Sequence, residues 1–167
     1  MAESVGDNIL LSGRKLPGFT LRDVEGRTVR LDDFKGRVVL IFFGYTNCPD
    51  ICPMALQRYA ELQKLLGERQ ELIFIFITTD PIHDSPEKLK YLTVKYGGNI
   101  VALTGDWMEL ATVWNAYHVR PLEDTGPSTY MTHSALIYVG DRNHILRSIF
   151  TPEMPAEEML REIQGLL

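Results

Sequence analysis

The chain has 167 residues, a formal net charge of −5, 45% apolar and 23% charged residues, the balance of one ordinary globular domain that can bury roughly 70% of its unfolded surface. Its basic residues never run longer than two in a row, which argues against nucleic acid as a partner, because phosphate neutralisation needs a concentrated basic face. The longest uninterrupted apolar runs, such as Leu72–Ile77, fall far short of the about twenty residues of a membrane-spanning helix. With two cysteines in all, a structural disulfide framework is excluded.

In chain order, Phe19 to Phe34 alternates apolar and polar residues around Glu25-Gly26, a hairpin pattern. Val38-Val39-Leu40-Ile41-Phe42-Phe43 is a continuous β-branched and aromatic run that suits a strand buried on both faces. A short loop with both cysteines follows, then a helix predicted from Pro53, since proline lacks only an N–H that is orphaned at a helix start. Ala55, Tyr59, Leu62 and Leu66 give that helix an apolar stripe, and Gly67 stops it. Leu72 to Thr78 reads as a second buried strand.

Ser85-Pro86-Glu87 opens a second helix as cap, first-turn proline and early acid, and Gly97-Gly98 closes it. Ile100 to Leu103 is a short strand. Asp106 to Glu109 has the form of a capping box, and Trp107, Leu110, Trp114 and Tyr117 mark the expected buried face of a third helix. A loop rich in Pro, Gly and Ser covers Pro121 to Ser128. Ala135 to Val139 and His144 to Phe150 read as strands joined at Gly140-Asp141-Arg142-Asn143, and an amphipathic helix runs from about Pro155 to the end. The order hairpin, β, α, β, α, β, α, β, β, α calls for a single domain with a central mixed sheet between helices. A strand that delivers Cys-x-x-x-Cys to a helix start makes this a thioredoxin-like α/β sandwich with an N-terminal β-hairpin.

Cys48-Pro49-Asp50-Ile51-Cys52 concentrates the chain's sulfur within one turn, so the pair is a redox couple or a pair of soft metal ligands. With the helix starting at Pro53, Cys52 is expected at the N-cap, where unpaired N–H groups and the positive end of the macrodipole favour a thiolate. Three intervening residues leave a wider loop than the usual two. It can close a disulfide or turn both sulfurs toward one ion. Two thiolates rarely complete a metal site, so a third ligand is sought elsewhere. His133, in Tyr130-Met131-Thr132-His133-Ser134 at the mouth of a strand, is the chosen ligand; its alternative is a strand cap. Two thiolates and an imidazole suit copper, or zinc with a fourth ligand. His118 is read as a helix-terminus residue, His144 as a solvated hairpin residue and His83 as a loop residue. Met131 is assigned to packing ahead of thioether ligation. Asp80 and Asp84 are either turn and cap residues or groups that orient ligands.

Gly44-Tyr45-Thr46-Asn47-Cys48-Pro49-Asp50-Ile51-Cys52-Pro53, Thr79-Asp80-Pro81-Ile82-His83-Asp84-Ser85-Pro86, and His133-Ser134 followed by Tyr138 resemble, in the same order, the motifs of the Sco/SenC family. The resemblance spans roughly Phe19 to the C-terminus. Members are thioredoxin-fold copper chaperones for the binuclear copper site of cytochrome c oxidase. The resemblance implies copper bound by Cys48, Cys52 and His133, with Asp80 close by. Two positions depart from the family pattern: Thr132 stands where an Asp usually precedes the histidine, and His83 stands where Arg is usual. Most members carry an N-terminal membrane anchor. Met1-Ala2-Glu3-Ser4 has neither the basic nor the apolar region of a targeting segment, so a soluble domain of an anchored, extracytoplasmic protein is expected.

The leading expectation is a metallochaperone that passes copper to the copper-site subunit of cytochrome c oxidase, with another copper carrier or a thiol reductase as further partners. The alternative is a thiol–disulfide oxidoreductase in which Cys48 and Cys52 form the catalytic redox pair and keep the oxidase's copper-ligand cysteines reduced. Peroxide reduction ranks third and a structural zinc site last.

Overall fold

A computed structural model describes residues 13–46, 51–67, 71–119 and 136–167, with only the backbone described at 51 and 52. Two short strands, β1 (Thr20–Arg22) and β2 (Thr28–Arg30), form the expected antiparallel hairpin. Gly26, at φ +83°, takes the left-handed turn that a side chain would resist, and the Asp23 carboxylate accepts the Glu25 and Arg27 N–H groups, both at 2.9 Å.

The main sheet has five strands in the order β5-β4-β3-β6-β7. These are β3 (Val38–Gly44), β4 (Leu72–Thr78), β5 (Ile100–Leu103), β6 (Ile137–Gly140) and β7 (Leu146–Phe150). β3 runs parallel to β4, and β4 to β5, while β6 and β7 pair antiparallel. The helices are α1 (Ile51–Leu66), α2 (Pro86–Tyr96), α3 (Trp107–Ala116) and α4 (Ala156–Gln164). None of the described helices is long and apolar enough to cross a membrane.

Every residue of β3 is buried, and its side chains alternate between two cores. Val38, Leu40 and Phe42 pack with Phe74 and Phe76 under α1, α2 and α4, including Tyr59, Leu89 and Met159. Val39, Ile41 and Phe43 pack with Ile75 and Ile77 on the opposite face, under Leu110, Val113 and Trp114 of α3 and Leu21 of the hairpin. This is the thioredoxin-like sandwich, and the reason β3 and β4 read as continuous apolar runs rather than alternating ones.

The caps follow their sequence signals. Ser85 accepts from Lys88 N–H at 3.2 Å, and Asp106 and Glu109 form a reciprocal box through bonds of 2.8 and 2.9 Å. Gly97 ends α2 at φ +135°, pressed against the Gln63 amide where a β-carbon has no room.

Three local expectations are corrected. Trp107 is not part of the buried stripe: it is 41% exposed, and Val113 takes its place. At the first helical position Trp107 lies edge-on against Trp114, at 5.2 Å between centroids, instead of entering the core. His144 is not solvated. It is buried in a left-handed conformation at φ +61°, and its Nε2–H donates to the Phe34 carbonyl at 3.0 Å. Third, α1 begins at Ile51, so Cys52 is inside the first turn rather than at the cap. Proline is tolerated throughout the first turn, because none of those N–H groups has an intrahelical acceptor, and Pro53 therefore did not mark the first residue.

His118 does sit at a helix terminus, at φ +60°, where Val119 N–H reaches back to the Trp114 carbonyl at 2.8 Å. Trp114 also donates its indole N–H to the carbonyl of Thr78 at 3.1 Å, pinning the end of β4. Trp114→Phe removes that donor and part of the ring. It should lower stability by about 2 kcal/mol, seen as a lower denaturant midpoint at unchanged slope; an unmoved midpoint would mean the bond contributes nothing net.

Candidate metal centre

The parallel register ends with Gly44 opposite Thr78, so the chain leaves β3 and β4 side by side. The antiparallel partner β6 enters at the same end, with Ile137 opposite Phe42. Three segments therefore start from one end of the sheet: the one leading from Gly44 to Cys48, the one carrying Asp80, and the one leading from His133 into Ile137. Cys48 and His133 lie outside the described residues, as do Met131 and Thr132 and the side chain of Cys52. Cys48 is four positions after Gly44 and His133 four positions before Ile137, a reach of at most about 14 Å on each side. Among the described residues no group of three or more His, Cys, Asp and Glu is arranged to hold a metal ion.

The described part of the site is a knot of carboxylates and hydroxyls behind these tethers. Thr79 N–H donates to the Gly44 carbonyl at 2.7 Å, and the Thr79 hydroxyl does so at 3.1 Å. One turn then follows, in which Asp84 N–H donates to the Asp80 carbonyl at 2.9 Å. That turn returns the Asp84 side chain to the strand ends. Its carboxylate accepts the Thr46 N–H at 3.1 and 3.2 Å, the Thr46 hydroxyl at 2.5 Å and the Thr78 hydroxyl at 2.7 Å. The Thr78 hydroxyl in turn accepts the Asp80 N–H at 2.9 Å. Asp84 thus closes the turn with its N–H but is not a helix cap, since Ser85 caps α2; its carboxylate is a clamp on the start of the cysteine segment. Thr46 belongs to the cysteine decapeptide, but its partner lies 38 residues away. Only the register of β3 against β4 reveals the pair.

Burial is the main influence on Asp84 and raises its pKa above the usual carboxylate range. The Thr46 and Thr78 bonds oppose the rise, and the neighbouring Asp80 charge adds to it. Asp80, whose side chain is 4% exposed, accepts from His83 Nδ1 at 3.1 and 3.0 Å. The His83 side chain is 62% exposed, so this loop residue is the lid on a buried carboxylate.

Two outcomes test the clamp. Thr46→Val should cost about 1–2 kcal/mol, the penalty for removing one donor from a buried charged acceptor, as measured by chemical denaturation. The raised folded-state pKa of Asp84 means that its protonated form favours folding: this contribution is complete below the ordinary carboxylate pKa and is lost as pH rises through the folded value. Asp84→Asn lacks it. The stability advantage of the native chain over Asp84→Asn should therefore be largest near about pH 3.5 and shrink toward about pH 7; an advantage that grows with pH would contradict the assignment.

Comparison with known proteins agrees with this architecture. The SCO1/SenC family model matches residues 12–167. The SCO2-like protein of Rickettsia felis is 31% identical over 164 residues, covering 95% of this chain and 78% of its own length. The structure of Bradyrhizobium japonicum ScoI with copper bound superposes with a TM-score of 0.75 at 32% identity, covering 90% of this chain and 98% of that one. BsSco, described with a disulfide switch as a member of the Sco family of cytochrome c oxidase assembly proteins, gives a TM-score of 0.73 at 25% identity, covering 92% and 94%. A family match over nearly the whole chain, on a sheet with this strand order, means that this protein belongs to the SCO1/SenC family.

Proposed function

We propose that this protein is a copper metallochaperone that holds one copper ion through Cys48, Cys52 and His133 and passes it to the copper-site subunit of cytochrome c oxidase. The observation that carries this reading is the common sheet end from which the Cys48 and His133 segments depart, with Gly44 beside Thr78 and Ile137 beside Phe42. The copper in Bradyrhizobium japonicum ScoI, on a fold of the same topology, supports the choice of ion, and the description of BsSco supports the choice of target. The family resemblance further implies that transfer takes place at the extracytoplasmic face of a membrane.

Two thiolates and an imidazole are soft and borderline donors that suit copper. Cys52, in the first turn of α1, stands where free N–H groups and the helix dipole stabilise a thiolate. A donor set contributed by a helix start and a distant segment allows stepwise exchange: an incoming ligand displaces one donor at a time. The cysteines must be reduced to bind. Their oxidation to a disulfide, with loss of two electrons and two protons, would switch loading off, and the disulfide switch of BsSco favours this part of the reading. The same chemistry supports a second reading, a thiol–disulfide oxidoreductase that keeps the oxidase's cysteines reduced.

The test is a copper titration of the fully reduced protein, followed in the sulfur-to-copper charge-transfer region. One equivalent should bind, with the band lost in Cys48→Ser and Cys52→Ser and altered or lost in His133→Ala. Thiol oxidation without stoichiometric binding would favour the oxidoreductase.

A further inference from the structure

His83 is an exposed imidazole held on a buried carboxylate. Its Nδ1 lies 3.0 and 3.1 Å from the two Asp80 oxygens, so Nδ1 carries the hydrogen and donates to both. The other ring nitrogen, Nε2, is then the one with the free lone pair. A carboxylate that fixes the tautomer and orientation of an imidazole in this way is the usual support of a metal-ligating histidine. The Asp80 side chain is only 4% exposed, and both of its oxygens face His83 Nδ1. The dyad is also at the right place. Asp84, the next residue, grips Thr46 by its N–H and hydroxyl, and Thr46 is two residues, at most about 7 Å of chain, from Cys48.

We propose that His83 Nε2, oriented by Asp80, is an outer capture ligand for a copper(II) ion on its way to the cysteine site. This rests on the copper reading above. One protein nitrogen, with water completing the shell, binds weakly and releases quickly, as a relay point must. Capture changes no oxidation state: a water on the ion is exchanged for Nε2, and Nε2 is later exchanged for the thiolates. His118 is the internal comparison, an exposed imidazole at the end of α3.

The site is isolated in the Cys48→Ser/Cys52→Ser/His133→Ala chain, titrated with copper(II) sulfate and followed by electron paramagnetic resonance. One copper(II) should bind with coupling to a single imidazole nitrogen. Adding His83→Gln should weaken binding tenfold or more, whereas adding His118→Ala should change it less than twofold. In the otherwise native, reduced chain, His83→Gln should slow the appearance of the charge-transfer band at least fivefold and leave its final amplitude unchanged. Equal effects of His83→Gln and His118→Ala would mean adventitious surface binding and overturn the proposal, as would a loading rate within twofold of native. Failure of the cysteine reading looks different: the native chain then shows no charge-transfer band, while the triple variant still binds through His83.

Discussion

The parallel pairing of β3 with β4 is the constraint on which the rest depends. Seven residue pairs, from Val38 opposite Leu72 to Gly44 opposite Thr78, lock the strands in register. Every β3 side chain and nearly every β4 side chain is taken out of water. A slip of one residue would exchange the two cores, moving Phe42 and Phe76 from the α1 side to the α3 side. The register also decides which residues meet beyond the sheet. Only with Gly44 beside Thr78 can the turn after β4 place Asp84 against both Thr46 and Thr78. Core packing, which has no chemistry of its own, thereby positions the start of the cysteine loop.

The clamp itself runs against the preference of its parts. A carboxylate loses hydration when buried, and here a second carboxylate, Asp80, stands four residues before it. Three donors from two threonines answer part of that cost, and the pKa of Asp84 remains raised. An amide or an apolar residue would be cheaper to bury. What a carboxylate offers is several acceptor positions from one side chain, enough to hold a backbone N–H and two hydroxyls belonging to different strand ends. Stability is exchanged for position beside the proposed site, whose ligands would come from separate segments.

The elements were legible in the sequence where a single physical cause dominated. Apolar runs gave β3 and β4, and Ser85, Gly97 and the Asp106–Glu109 box gave helix limits that the structure reproduces. Legibility failed where two causes competed. Trp107 has the size for a core but occupies the first helical position, and edge-on contact with Trp114 suffices for it. His144 follows a polar turn, yet the Phe34 carbonyl needs a donor beneath the hairpin, and the imidazole supplies it. Pro53 marks a helix start only to within one turn. In the site, the two cysteines stood out by their spacing and the aspartate segment by its family resemblance, whereas the Asp84–Thr46 bond depends on strand register and has no local signature. Cys48 and His133 themselves lie outside the described residues.

The two positions at which this chain departs from the usual Sco/SenC pattern are linked by charge. By that resemblance, Thr132 stands where a carboxylate usually precedes His133 in the sequence, and His83 stands where a guanidinium is usual. An arginine at position 83 would give Asp80 a permanent cationic partner and no lone pair for an ion. The imidazole keeps the hydrogen bonds to Asp80, at 3.0 and 3.1 Å, and adds a nitrogen that can ligate. Relative to that pattern, one anion is missing next to the proposed ligand His133 in the sequence, and one cation is missing from the Asp80 segment. The summed formal charge of the two segments is thus the same as in the family pattern, while the donors they offer differ. On the capture proposal, such a pair of changes would shift where an arriving cation is first held without altering the two sulfurs and the imidazole that would hold it last.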